Sequence, residues 1–296
     1  MEYVDLIKEK NPLHSKYLNK LTLSENKLKD LNHLILFYQN NLNFSLEEQA
    51  RNYIVVLNDT LEETKYFIEN GTYRYSSFDE VKDKVYFNKS YMKAYMIGLA
   101  LSSYIWIAHI KVRKYFENFL LHTKDKNLYL EIGPGHGEFF AKAIKSEKFN
   151  SYVGIDISPT SCELTKEMVS YKIGNLSKNY EFLCKDFFTY NFEKKADLIV
   201  MGEILEHVEK PLIFLKRAYE LLDKEGEVFA TIPINAPAID HIYLFKDPKE
   251  VEDLIQKAGF YIKEKEFFMA NNYSLEKALK FKNAITMVVV LGLKDE

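Results

Sequence analysis

Two hydrophobic patterns divide this chain, and one gives way to the other near residues 122–127. Upstream, apolar residues recur every three or four positions, the spacing that lines one face of a helix. Ile54, Leu57, Leu61 and Ile68 follow it between a start and a stop signal. The start is Ser45-Leu-Glu-Glu48, a capping box in which each end residue's side chain accepts from the other's backbone N–H. The stop is Gly71, suited to the left-handed residue that ends a helix. Ser77-Phe-Asp-Glu80 repeats the start signal, and a long apolar helix or pair of helices follows to about Leu121. Downstream, short apolar runs at 128–132, 151–157, 180–184, 196–201, 227–232, 261–268 and 284–293 alternate with helical stretches such as 211–222 and 248–258. That alternation predicts a parallel, doubly wound sheet with helices on both faces. The reading is an α/β chain: an all-helical cap over 1–124, then an α/β domain over 125–296.

The most informative stretch is where the first strand ends. Residues 131–137 read Glu-Ile-Gly-Pro-Gly-His-Gly, and an apolar helical pattern follows. Glycines at such a turn accept left-handed backbone angles and let a ligand approach the main chain. The unpaired N–H groups of the next helix then face the crevice. A dinucleotide fingerprint needs Gly-x-Gly-x-x-Gly, but Glu138 stands three residues after Gly135. The pattern here is Glu-x-Gly-x-Gly-x-Gly.

This turn resembles motif I of the class I S-adenosylmethionine (SAM) methyltransferases, and later elements keep the resemblance in register. The second strand ends at Asp156-Ile157, the third leads into Asp186-Phe187, and the fourth runs into Gly202-Glu-Ile-Leu-Glu-His-Val-Glu-Lys-Pro211. That last segment is similar to the one in ubiquinone-pathway O-methyltransferases and their small-molecule relatives. The resemblance implies a Rossmann-like sheet of seven strands, the last two antiparallel. It also implies SAM as cofactor, held by Glu131, Gly133, Gly135, Gly137, Asp156, Ile157, Asp186, Phe187, Gly202 and Glu203. Asp156 would take the ribose hydroxyls and Asp186 the adenine amino group, with the residue beside it on the ring face. The helical block would cover the crevice, chiefly through 88–110.

Composition narrows the partners. A net charge of −3, from 40 basic and 43 acidic side chains, gives no general attraction to nucleic acid or to an anionic membrane. The two cysteines, Cys162 and Cys184, make neither a disulfide framework nor a zinc spacing, and Cys184 reads as a small buried hydrophobe. Residues 94–110 are apolar, but flanking and internal polar groups leave too short a span for a membrane helix. The N-terminus lacks a signal-peptide core, so the expected location is cytoplasmic. The expected partner is a small-molecule methyl acceptor, with neither nucleic acid nor membrane. Oligomeric state is left open.

Methyl transfer is an in-line displacement that depends on alignment, helped by a base where the acceptor must lose a proton. Candidate bases are His136 in the glycine turn, His207 after strand four and His241 after strand five. Each also has a structural reading: His136 as turn filler, His207 as a helix-start hydrogen-bonding group, His241 as part of a loop. Tyr91, Tyr95, Tyr104, Trp106 and His109 read as helical core more readily than as pocket. Glu203, Glu206, His207 and His241 together resemble the divalent-metal ligands of small-RNA 3′-terminal 2′-O-methyltransferases. Two alternatives follow, a metal-dependent RNA 2′-O-methyltransferase and a non-catalytic SAM-fold interaction protein.

Overall fold

The computed structural model describes residues 2–176, 179–190 and 192–294. Seven helices precede the sheet: α1 (Glu2–Lys10), α2 (Ser15–Leu18), α3 (Glu25–Asn40), α4 (Leu46–Asn70), α5 (Phe78–Val81), α6 (Lys89–Ile105) and α7 (Ile107–His122). Both expected capping boxes form, at Ser45 and Ser77, and α4 stops at Gly71 with φ of 72°. The long apolar stretch is a pair of helices. Trp106 leaves the helical conformation between α6 and α7, and the two axes bend by 80°. No single helix among the described residues is long and apolar enough to cross a membrane.

The remaining elements are β1 (Lys126–Ile132), α8 (Glu138–Ser146), β2 (Phe149–Asp156), α9 (Pro159–Ile173), β3 (Asn179–Cys184), β4 (Ala196–Gly202), α10 (Pro211–Leu221), β5 (Leu222–Ile234), α11 (Pro248–Lys257), β6 (Phe260–Met269), α12 (Leu275–Lys280) and β7 (Ile285–Leu293). They build one sheet of order β3-β2-β1-β4-β5-β7-β6, with β7 antiparallel to both its neighbours. Strand order reverses between β1 and β4, so the loops beyond those two carboxyl ends flank the crevice where such sheets bind ligands.

Alternation along the strands assigns each face. Leu128, Leu130 and Ile132 of β1, with Ile199 and Met201 of β4, join the core under α10 and α11. Tyr129, Leu198 and Val200 point the other way, against Phe140 and Ile144 of α8 and Val169 of α9. Helix α7 belongs to this second layer as well, packing Val112, Phe116 and Leu120 there. The helices before it form their own core around Leu31, Tyr38, Tyr53 and Leu101, joined by Met168 from α9. One expectation fails. Cys184 is exposed, because β3 is the edge strand and its carboxyl end lacks a covering neighbour on one side.

Candidate functional site

The glycine turn adopts the backbone its sequence demands. Gly133, Gly135 and Gly137 have φ of 62°, 50° and 75°. At Gly133 a Cβ would stand 2.3 Å from Ile204 Cδ1, the movable end of that side chain, so it is chiefly the positive φ that disfavours a side chain there. Asp156, at the tip of β2, accepts from Ser158 N at 2.8 Å and from Ser161 Oγ at 2.7 Å. Asp186 accepts from Phe188 N at 2.8 Å. Phe187 is buried and stacked on Phe214 at 4.9 Å, whereas Ile157 and Phe188 are exposed at the rim. Glu131 lies under the turn, bonded to the Tyr129 hydroxyl, and burial pushes its carboxyl up to about 8.

Glu131, Gly133, Gly135, Asp156, Asp186 and Phe187 line a cavity of about 840 Å³, which Gly137 does not reach and whose other walls come from the helical cap and the loops after β4 and β5. Its volume is toward the upper end for a small-molecule site, as seating two ligands requires. From the cap, Met92, Tyr95, Met96, Leu99, Ser103 and Trp106 contribute, so part of the 88–110 stretch does face the glycine turn. Tyr91 and Tyr104 are not in the lining. Tyr104 instead donates to Glu138 at 2.9 Å. Burial alone would raise the Glu138 carboxyl, but Lys172, Lys142 and Arg113 hold it well below the usual carboxylate range.

Beyond β4 and β5, three candidates converge. Ligand atoms of Glu206, His207 and His241 all lie within 4.8 Å of one another, and the two imidazoles are 4.9 Å apart between centroids. His207 Nε2 is 3.4 Å and His241 Nε2 3.9 Å from Glu206 Oε1. His241 Nδ1 contacts the Ala236 carbonyl at 2.7 Å, and His207 Nδ1 the Asp240 carbonyl at 3.0 Å. A carbonyl only accepts, so each Nδ1 carries the proton and each Nε2 offers a lone pair inward. Burial, aided by His207, pushes His241 down to about 4, so its ring is neutral at pH 7.

Glu206 is fully buried, and neither carboxylate oxygen has a hydrogen-bond partner among the described residues. Burial, then the nearby Glu203 carboxylate, raises its carboxyl well above the usual range. Glu203 stands outside the trio. Its carboxylate accepts from Thr231 Oγ1 at 2.9 Å, and its backbone is left-handed at φ 54°, a conformation that costs a non-glycine residue about 1–3 kcal/mol.

His136 is separate from the other histidines. Its Nδ1 accepts from Glu138 N at 3.3 Å and its Nε2 lies 3.4 Å from Ser103 Oγ, bracing the turn. His109 pairs with Ser102 Oγ at 2.9 Å. Sequence reasoning missed Tyr86, Asp240 and Thr231. Asp240 sits beside His241 in a loop already suspected, but nothing near Tyr86 marks it as more than another aromatic in a helical block.

The sheet order and the glycine turn at its switch point, followed by an acid on β2, define a class I methyltransferase fold. Residues 130–228 match the family model described as a methyltransferase domain. Malonyl-[acyl-carrier protein] O-methyltransferase 1 of Ilyobacter polytropus is 33% identical over 112 residues, 38% of this chain and 40% of that protein. The chain thus matches less than half the length of that relative. Ribosomal RNA small subunit methyltransferase A of Metamycoplasma arthritidis is 23% identical over 202 residues, 60% of this chain and 69% of that one. The solved structure of the mitomycin 7-O-methyltransferase MmcR shares the fold at a TM-score of 0.55 and 11% identity, covering 84% of this chain and 70% of that one.

Proposed function

We propose that this chain transfers the methyl group of SAM to an oxygen or nitrogen of a small-molecule acceptor. One observation carries the reading: Gly133 and Gly135 of the glycine turn, Asp156, His207 and His241 all line one cavity roofed by apolar side chains of the cap, with Glu206 buried behind the two histidines. SAM would lie along the glycine turn, its ribose on Asp156 and its adenine between Ile157 and Asp186. The acceptor would enter from the cap side, with Met92, Met96 and Trp106 excluding water. His207 or His241, each offering Nε2, would take the acceptor's proton or orient it.

The trio also fits a divalent cation. Its two orphaned carboxylate oxygens and two inward imidazole nitrogens form a donor set suited to manganese, iron, cobalt or zinc, whereas magnesium prefers more oxygen. Glu206, His207 and His241 would hold the ion. When bound, it would supply Lewis acidity to an acceptor oxygen.

The trio and the ribosomal RNA methyltransferase relative together favour RNA 2′-O-methylation as a second reading. Against it, Arg113 and Lys185 are the only lysines or arginines among the cavity-lining residues, and Arg113 is committed to Glu138 at 3.5 Å. Phosphate recognition needs more free cations than that. The test is a SAM-binding titration, a labelled-methyl assay against a metabolite extract with and without chelator, and a gel shift with structured RNA. SAM binding with extract-dependent labelling and no shift supports the small-molecule enzyme. A shift with labelled RNA overturns it in favour of the second reading, and failure to bind SAM leaves a non-catalytic interaction protein.

A further inference from the structure

The spacing of the two cysteines marks no pairing in the sequence, yet the fold brings both to one residue. Cys162 lies in the first turn of α9 and Cys184 ends β3. As a crossover helix between parallel strands, α9 runs antiparallel to β3. Ser170 Oγ of α9 lies 3.2 Å from Tyr180 Oη of β3 and fixes one end of their contact. From there back to Cys162 is about 12 Å of helix at about 1.5 Å per residue, and forward to Cys184 about 13 Å of strand at about 3.3 Å per residue. The two cysteines therefore stand level. Tyr180 and Phe182 pack with Val169 and Ile173 of α9, and the two-residue period of a strand puts Cys184 on that same face. Cys162 Sγ points at the sheet, 3.7 Å from the Asp156 carbonyl oxygen. That oxygen accepts from Lys185 N at 2.9 Å, and Asp156 is the registered neighbour of Cys184 across the β2–β3 ladder. Burial, then the Asp156 carboxylate and Cys184 itself, holds the Cys162 thiol above its ordinary range, whereas Cys184 is exposed.

Each cysteine is tied to the crevice by its neighbours in sequence. Ser161, beside Cys162, donates from Oγ to the Asp156 carboxylate at 2.7 Å, and Lys185 and Asp186, following Cys184, line the cavity. We propose that Cys162 and Cys184 form an oxidisable dithiol whose disulfide lowers the affinity of the crevice for SAM. The oxidant is a peroxide. The exposed Cys184 thiol takes one oxygen of hydrogen peroxide, releasing water and becoming a sulfenic acid. The Cys162 sulfur then attacks that sulfur, the S–O bond breaks, and the hydroxyl leaves with the thiol proton as a second water. Two thiols give up two electrons, and one peroxide is reduced to two waters. A disulfide sets its sulfurs about 2 Å apart, so the start of α9 and the end of β3 are drawn together, and Ser161 and Asp186 shift with them. The coupling rests on the reading of Asp156 and Asp186 as cofactor ligands; closure of the disulfide does not.

The test treats the reduced full-length chain with hydrogen peroxide and compares it with Cys162→Ser and Cys184→Ser. The oxidised parent should lose two hydrogens by intact mass and both iodoacetamide-reactive thiols, while remaining a single chain on a non-reducing gel. Its SAM affinity by calorimetric titration should fall about 5- to 150-fold, the usual range of a coupling between two sites, and return with dithiothreitol. Methionine oxidation does not reverse with that reagent, so the recovery separates the two lesions. Each serine variant should keep its SAM affinity through the same treatment. By reciprocity, saturating SAM should shift the parent toward the dithiol in a glutathione redox buffer. A parent that keeps both thiols, cross-links only between chains, or binds SAM equally well when bridged overturns the proposal. A reduced parent that does not bind SAM overturns the underlying cofactor reading instead.

Discussion

Replacing Glu206 with Gln should reverse sign according to whether metal is present. In the metal-free protein Glu206 is a liability: fully buried, with both oxygens unpartnered and Glu203 and Asp240 as like-charged neighbours. An orphaned buried polar group costs about 1–3 kcal/mol. A glutamine amide can donate to His207 Nε2, which stands 3.4 Å from the present Oε1, and carries no charge to desolvate. The variant should therefore be more stable than the parent in chelator by about 1–3 kcal/mol. With an ion at a thousand times its dissociation constant the parent gains about 4 kcal/mol, which the variant, lacking the carboxylate, largely forgoes. The order of stabilities then inverts. Differential scanning calorimetry with chelator, then with manganese, cobalt or zinc, reads both halves, at roughly 2–4 °C per kcal/mol for a large domain. A parent melting curve indifferent to all three ions, together with a variant less stable than the parent in chelator, would refute the reasoning.

Asp156→Ala should weaken SAM binding about 10- to 100-fold by calorimetric titration, since each charge-assisted bond to a ribose hydroxyl is worth roughly 1.5–3 kcal/mol; unchanged affinity in a folded variant contradicts the ribose assignment. Gly133→Ala forces a side chain onto a φ of 62° and against Ile204, so urea unfolding should show a loss of about 1–3 kcal/mol and SAM affinity should fall with it. Glu131 binds its proton more tightly folded than unfolded, its carboxyl raised from 4.5 to about 8 by burial. Its contribution to stability is therefore lost as pH rises from about 4.5 to about 8, by at most about 1.4 kcal/mol per pH unit. Glu131→Gln should flatten that part of the pH–stability curve of the ligand-free protein, and an equally steep curve in the variant would count against the buried, protonated state.

Much of this protein is written in local sequence, because local physics suffices to read it. The capping boxes at Ser45 and Ser77 and the stop at Gly71 depend only on neighbours along the chain. The glycine turn depends on backbone angles that few other residues accept. The seven apolar runs and the alternation of faces follow from the two-residue period of a strand. Together they point to a doubly wound sheet, and the acids at 156 and 186 follow strands whose carboxyl ends open on the same cavity as the glycine turn.

What only the tertiary structure decided is which side chains meet. Glu203 stands at the strand exit among the four expected ligands, but β4 and β5 pair so that Thr231 claims its carboxylate, leaving Glu206 to face the two histidines. Cys184 reads as core until the strand order puts β3 at the sheet edge. Tyr86 and Tyr95 are two aromatics among many in a helical block, and only the docking of that block brings them to Asp240, 154 and 145 residues away in sequence. Contacts over such separations leave no periodic trace. Hydrophobic pattern reports how much of a side chain must be buried, whereas a polar partner is set by the packing of elements whose relative placement no local stretch encodes.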